Sequence, residues 1–404
     1  MADERAVPTG LGAEPDAKPA RTLTTVCAAH AAHDGVHDSI YVLLPLWAEA
    51  FGLNYAQVGL LKSAFSGALA MFQMPAGILS ERLGERFLLV LGTAAAGIGY
   101  AMLGLSTSFL MLFAIVALTG LASSVQHPIG SAVISKAFAQ GGRRAALGVY
   151  NFSGDVGKMA VALLLGSAVT YVGWRTATLG YGLVVVALSL VILVMLREIR
   201  GAAPPVLSPM SAAASGGWGF TDRRGYSVLS GIHVVDCACR TGVLTFVPFA
   251  LAAKGASAAT IGLAFALIFA GGAAGKLVCG LLGDRIGLIR TVVLTEFATA
   301  GLIIATLLAP LWGAIVLLPL LGIALNGTSS VLYGTVGEFV RADRQARAFG
   351  LFYTLGSIAG TLSPIAFGVV GDLAGLRVTL VSLAVVALLA VPLTLMLRSH
   401  VSKA

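Results

Sequence analysis

Charge is what this chain has least of. Asp, Glu, Lys and Arg together make up 11% of its 404 residues, against 57% hydrophobic, and its mean hydropathy is +0.92. Soluble domains carry roughly 25% charged residues, so a water-soluble body of this length could not be covered. That excludes a soluble enzyme and a nucleic-acid module. A disulfide framework is also missing. The four cysteines, Cys27, Cys237, Cys239 and Cys279, all fall in apolar segments, which is not the pattern of a secreted scaffold. No G-x-x-x-x-G-K-[ST] phosphate cradle is present. The run GGAAGK at 271–276 only imitates one inside an apolar stretch. No G-x-S-x-G nucleophile elbow is present either. ATP drive, hydrolysis and a bound cofactor are therefore not indicated. Residues 1–22 contain proline and are too acidic for a secretory leader, so they read as a cytoplasmic tail.

Long apolar runs are what the chain does have. A membrane span needs about 20 apolar residues. Twelve candidates follow one another: 23–50, 54–80, 86–106, 109–136, 145–170, 176–197, 225–252, 257–282, 289–309, 312–338, 346–371 and 376–397. Only helices suit these lengths, so the fold class is an all-α, multi-pass membrane protein. Of the 26 basic residues, 19 fall in the tails and the loops on the tail side. Only Arg175, Lys254 and Arg377 fall in loops on the other side. This bias places both termini in the cytoplasm. The stretch 198–224, rich in Pro, Ser, Ala and Gly, reads as a linker between six spans at 23–197 and six at 225–397. Residues 398–404 are a second cytoplasmic tail.

The two halves repeat each other. His30 and Pro45 correspond to His233 and Pro248, 203 residues apart, and QVGL at 57–60 corresponds to TIGL at 260–263. Gln73 falls on Lys276, and GWR at 173–175 falls on GLR at 375–377. The loop after span 2 contains Gly77, Glu81, Arg82, Gly84 and Arg86. The loop after span 8 contains Gly280, Asp284, Arg285 and Gly287. Both resemble the G-x-x-x-D-R-x-G loop of the major facilitator superfamily. The resemblance implies two pseudo-symmetric six-helix bundles around a central cavity, alternating access, and a gating latch at these loops. Their basic residues also serve topology. Within that superfamily the chain is similar to the fosmidomycin resistance protein group. The stretches that carry this are AAHAAHDGVHD with LLPLWAEAFGLNYAQVGLL at 28–61, GLASSVQHPIGSAV at 120–133 and LGVYNFSGDVGK at 147–158. His30, Asp34, His127 and Gly154 carry over from that pattern. His33, His37, Asp38, Asp155 and Lys158 depart from it, which argues against the group's phosphonate antibiotic as substrate.

A charged side chain at mid-membrane costs about 2.5–3.5 kcal/mol on insertion scales and generally faces a cavity where it has work to do. Span 1 carries His30, His33, Asp34, His37 and Asp38, of which the first four share one helical face. Span 5 carries Asn151, Asp155 and Lys158, and span 7 carries His233, Asp236 and Arg240. Gln126 and His127 stand before Pro128 in span 4, and Lys276 lies in span 8. His and buried Asp can exchange protons near neutral pH. Asp34 is therefore the first candidate for proton coupling, with His30, His33, His37, Asp155 and Asp236 beside it. Asp155 and Asp236 are also placed to pair with Lys158 and Arg240 as packing pairs. Arg240, Lys276 and Lys158 are candidate anion binders, Arg240 first because its fork matches carboxylate or phosphonate. His127, Gln126, Asn151 and His233 are candidate substrate contacts. Lys62 reads as snorkelling to the outer surface.

These features lead to an expected monomeric, proton-coupled secondary transporter of a small polar or anionic compound in the cell's inner membrane. Its partners are the substrate, protons and the bilayer. Export is favoured through the resemblance. The alternatives are uptake of an organic acid and transport of a divalent metal through the His/Asp cluster. A non-transporting sensor and an intramembrane enzyme stand further back.

Overall fold

Positive-φ glycines set where the chain turns, and they recur in pairs. Gly52 (φ 63°) and Gly255 (φ 84°) follow the first helix of each half, and Gly84 (φ 88°) and Gly287 (φ 82°) follow the second. Gly173 (φ 74°) and Gly375 (φ 86°) follow the fifth. Side chains with a Cβ rarely adopt this backbone region, so the internal repeat is written into the turns as well as the sequence. Helix starts repeat likewise. Asn54 accepts from the Gln57 N–H in a full capping box, and Ser257 accepts from the Thr260 N–H.

The computed structural model describes residues 19–196, 219–341 and 344–401. The tail 1–22 up to residue 18, residues 198–218 of the linker, and the end of the tail 398–404 lie outside them. The helices are α1 (Pro19–Phe51), α2 (Tyr55–Leu83), α3 (Glu85–Leu103), α4 (Phe109–Ser123), α5 (Gln126–Ala137), α6 (Arg143–Met195), α7 (Arg223–Ala253), α8 (Ala258–Ile286), α9 (Leu288–Leu308), α10 (Leu311–Thr335), α11 (Gln345–Ala374) and α12 (Leu376–Leu397). Among the described residues there is no β-strand, only one isolated bridge between Phe220 and Val340. Among the described residues, nine helical stretches are long and apolar enough to cross a membrane.

One difference from the expected spans has a physical cause. Span 4 is interrupted: α4 ends at Ser123 and α5 begins at Gln126, because Pro128 cannot donate to the carbonyl one turn back. Spans 5 and 6 both lie in α6, parted at the non-helical Gly173 (φ 74°, ψ 160°) much as α11 and α12 part at Gly375 (φ 86°, ψ 163°). Read with α4 and α5 as one broken span and α6 as two, the described helices follow the order of the expected spans. Both α1 and α2, at 33 and 29 residues, are long enough to cross. They fall outside the apolar nine, and α1 holds the His/Asp cluster.

Large apolar side chains on the outside, such as Leu164, Val194, Leu308, Val316 and Leu373, suit a lipid-facing surface rather than a wet one. In the first half α1 and α3 pack on α6; in the second, α8 packs on α10 and α7 on α11 and α12. The halves meet along α2 with α11 and α6 with α8. There backbones come close: a Cβ on Gly59 would stand 2.0 Å from the Pro364 carbonyl oxygen, and one on Gly262 2.5 Å from that of Ala162. The Ser63 hydroxyl donates to the Thr361 carbonyl (2.5 Å), and Asp372 accepts from the N–H groups of Tyr55 and Ala56 (2.7 and 3.0 Å). These contacts close the end where α2 begins and α11 finishes. At the opposite end Glu81, Arg82, Asp284 and Arg285 are exposed. Among the described residues, no ion pair joins the two gating loops.

Candidate functional site

A cavity of about 230 Å³ lies between the halves, lined from α1, α2, α7, α10 and α11. His37, Tyr41, Gln73, His233, Arg240 and Tyr353 are among its walls. Arg240 is the fixed cation of this wall. Its Nη2 donates to Cys237 Sγ (3.3 Å). Among the described residues no ion pair within 4.0 Å joins it to Asp236, so the expected Asp236–Arg240 packing pair is not formed. Asp236 instead has a buried Oδ2 with no hydrogen-bond partner.

The span-1 cluster divides into three environments rather than one face. His30 Nδ1 lies 2.7 Å from the Tyr150 carbonyl, its ring stacked on Tyr150 at 4.0 Å, and its Nε2 lies 3.5 Å from Asp34. His33 turns away from the others to Thr93 Oγ1 (3.0 Å) on α3. His37 pairs with Asp38 (2.7 Å) and reaches the cavity. The half sharing Tyr150 with His30 has its counterpart in the other: His233 stacks on Phe352 at 4.1 Å.

No fixed cation shares Asp34's face of α1, but α6 brings one. Lys158 Nζ is 3.3 Å from Asp34, 3.7 Å from Asp38 and 3.6 Å from Asp155. His127, at the start of α5, lies 3.7 Å from Asp34. Gly154 makes this possible, since a Cβ there would stand 2.5 Å from Asp34 Oδ2 and 2.7 Å from His30 Cε1. Asp155 binds Lys276 of α8 through both oxygens (2.9 and 2.7 Å), an ion pair between the halves. Lys158 and Lys276, expected to meet substrate, are thus occupied by carboxylates and are not among the residues lining the cavity. Asn151 is exposed and is not among the residues lining the cavity. Gln126 is fully buried at the α4–α5 break with neither side-chain end partnered.

Two residues differ from or were absent in the sequence reading. Lys62 does not snorkel. It is fully buried, 3.1 Å from His37 Nε2 and 4.4 Å from the Tyr41 ring centroid. The aromatic face and the imidazole replace the water it would otherwise seek. Glu296 in α9 is 2% exposed, with an unpartnered Oε1. Its being the sole charged residue in the stretch 291–309 was the available signal. In the gating loops, Glu85 pairs with Lys136 (2.9 Å) and Arg86 donates to the Leu193 carbonyl; both ties are within the first half.

Two of the three outer-loop cations have structural partners. Arg175 donates to the Gly104 and Ser106 carbonyls (2.8 and 2.7 Å), and Lys254 to those of Leu307 and Ala309 (2.8 and 2.5 Å). Each caps the carboxyl end of the third helix of its half. At the other end, Asp222 caps α7, and its carboxyl is held below the usual range first by the Gly225 N–H and then by His400.

Membrane-length helices in two like halves, meeting at one end and enclosing a polar cavity, define a secondary transporter fold. The chain belongs to the Major Facilitator Superfamily, whose family profile matches residues 26–224 and 229–404. A bacterial homolog of the human lysosomal transporter Spinster, solved inward-facing and unoccupied, superposes with a TM-score of 0.81 at 18% identity, covering 97% of this chain and 100% of that one. The probable L-galactonate transporter of Escherichia coli is 29% identical over 31% of this chain and 28% of its own length. The fosmidomycin resistance protein of Escherichia coli is 28% identical over 35% of each. The first curated relatives are thus matched over only about a third of their length or less. An uncharacterized transporter of Methanocaldococcus jannaschii is matched over 87% of its length, at 19% identity.

Proposed function

We propose that the protein is a proton-coupled exporter of a small organic anion. The observation that carries this is Arg240: a guanidinium in the cavity wall with, among the described residues, no carboxylate within 4.0 Å. A planar cation left unpaired in a low-dielectric cavity is complementary to a carboxylate or phosphonate. His37, Gln73 and His233 supply further polar contacts around the same space.

Asp34 carries the proton in this reading. It stands among His30, His127 and Lys158, and the network continues through Lys158 to Asp155 and across to Lys276. A change of charge at Asp34 would release Lys158 toward Asp155, which would loosen the Asp155–Lys276 tie between the halves. The gating loops at Gly77–Arg86 and Gly280–Gly287 would latch when the opposite end opens. The positive-inside bias puts the open end and both termini in the cytoplasm of a cell whose inner membrane holds the protein. Export is the direction that the resistance proteins among its relatives favour.

The test is a susceptibility panel in cells lacking their own exporters. It covers organic acids, phosphonate antibiotics, lipophilic cations and divalent metals, with wild type, Arg240→Gln and Asp34→Asn. The expected result is resistance to an anionic class, lost in both variants. Resistance to lipophilic cations that survives Arg240→Gln would overturn the anion reading. Hypersensitivity to an anion would reverse the direction to uptake.

A further inference from the structure

The second half holds a donor cluster beside the proposed anion site, sharing His233 with it. His233, Asp236 and Cys237 stand at i, i+3 and i+4 on α7 and bring one ligand atom each within 4.8 Å of one another. All three are buried, at 1%, 4% and 5% exposure. Asp236 Oδ2 has no hydrogen-bond partner. Cys237 Sγ lies 3.7 Å from the His233 ring nitrogens. That is long for a hydrogen bond. It is near the edge of about 3.6 Å that a tetrahedral ion sets between sulfur at ~2.3 Å and nitrogen at ~2.0–2.1 Å.

The surroundings hold these donors ready. The His233 ring is fixed by stacking on Phe352 and by the edge contact with Tyr333 at 5.4 Å. Facing it on α11 is Gly356, where a Cβ would stand 2.2 Å from His233 Nε2 and 3.0 Å from Cys237 Sγ. His233 and Cys237 both line the cavity, so a fourth position is open to it. Arg240 donates to Cys237 Sγ, which holds the sulfur at the cavity wall, and the thiolate is the form that coordinates. The triad His30, Asp34 and His127 also comes within 4.8 Å, but Lys158 already neutralises Asp34 at 3.3 Å. It also lacks sulfur.

We propose that His233, Asp236 and Cys237 form a site for a thiophilic divalent cation of the zinc and cadmium class, opening on the cavity wall, and that occupation of this site inhibits transport. Binding transfers the thiol proton to solvent and forms the metal–sulfur bond. The ion then stands in the wall beside Arg240, in the path of an anion.

The test uses the full-length protein in detergent, titrated with cadmium chloride alone. Sulfur-to-cadmium charge transfer is followed in the ultraviolet, with calorimetry for stoichiometry. One equivalent is expected, with the band lost in Cys237→Ala and in Cys237→Ser, and affinity lowered at least tenfold in His233→Gln. Thermal melting of each variant confirms that it is folded. No saturable band in wild type would overturn the site. So would a band that persists in both Cys237 variants, with sulfur from another cysteine, or binding that depends on His127 and not on Cys237. The titration does not involve transport, so it stands or falls separately from the anion reading.

Discussion

A side chain's neighbours on other helices decide its role here more than its own helix does. Asp34 shows this. On α1 alone it has only histidines for company, yet Lys158 on α6 lies 3.3 Å away and is shared with Asp38 and Asp155. Replacing Asp34 by Asn keeps size and hydrogen bonding but removes the exchangeable proton. Asp34→Asn is expected to retain exchange down a substrate gradient and to lose accumulation driven by a pH difference. Proteoliposome flux with and without that difference checks this. Continued uphill transport would remove Asp34 from the coupling. Intramembrane charge was readable from the sequence, because any such residue interrupts an apolar run. Its partners were not, because Lys158 to Asp38 and Lys62 to His37 join positions far apart in the chain. Lys62 in particular looks like a surface anchor until α1 is seen to cover it.

Helices carry the repeat more plainly than single residues do. The turns at Gly52 and Gly255, Gly84 and Gly287, and Gly173 and Gly375 are paired by backbone angle as well as by register. This much was legible: apolar length, the basic-residue bias and the doubled loop give the helices and their order. The break between α4 and α5 was not, since it depends on which carbonyls find donors. Close crossing of α2 on α11 at Gly59 and of α8 on α6 at Gly262 closes one end of the molecule. Leucine at either position cannot fit against a carbonyl 2.0 or 2.5 Å from its Cβ. Gly59→Leu and Gly262→Leu are therefore expected to shift the population toward opening at that end. A cysteine at Tyr55 should then label from that side several-fold faster than in the parent. Unchanged labelling would show that the crossing does not set the closed state.

Across the whole molecule the two halves do unlike work on a shared frame. The first half holds the dense ionic network of Asp34, Asp38, Asp155 and Lys158. The second contributes Arg240 to the cavity and Lys276 to the network. Asp155–Lys276 is an ionic tie between the halves; in the proposed reading a proton at Asp34 and an anion at Arg240 act through it on one equilibrium. The measurement that bears most directly on this account is uptake of a radiolabelled organic anion, chosen from the susceptibility panel, into proteoliposomes under an imposed pH difference. Wild type and Arg240→Gln are compared over a range of anion concentration. A hydrogen-bonded charge pair contributes about 1.5–3 kcal/mol, so half-saturation is predicted to rise by roughly 10- to 100-fold in the variant. An Arg240→Gln protein that accumulates the anion with unchanged half-saturation would contradict the account.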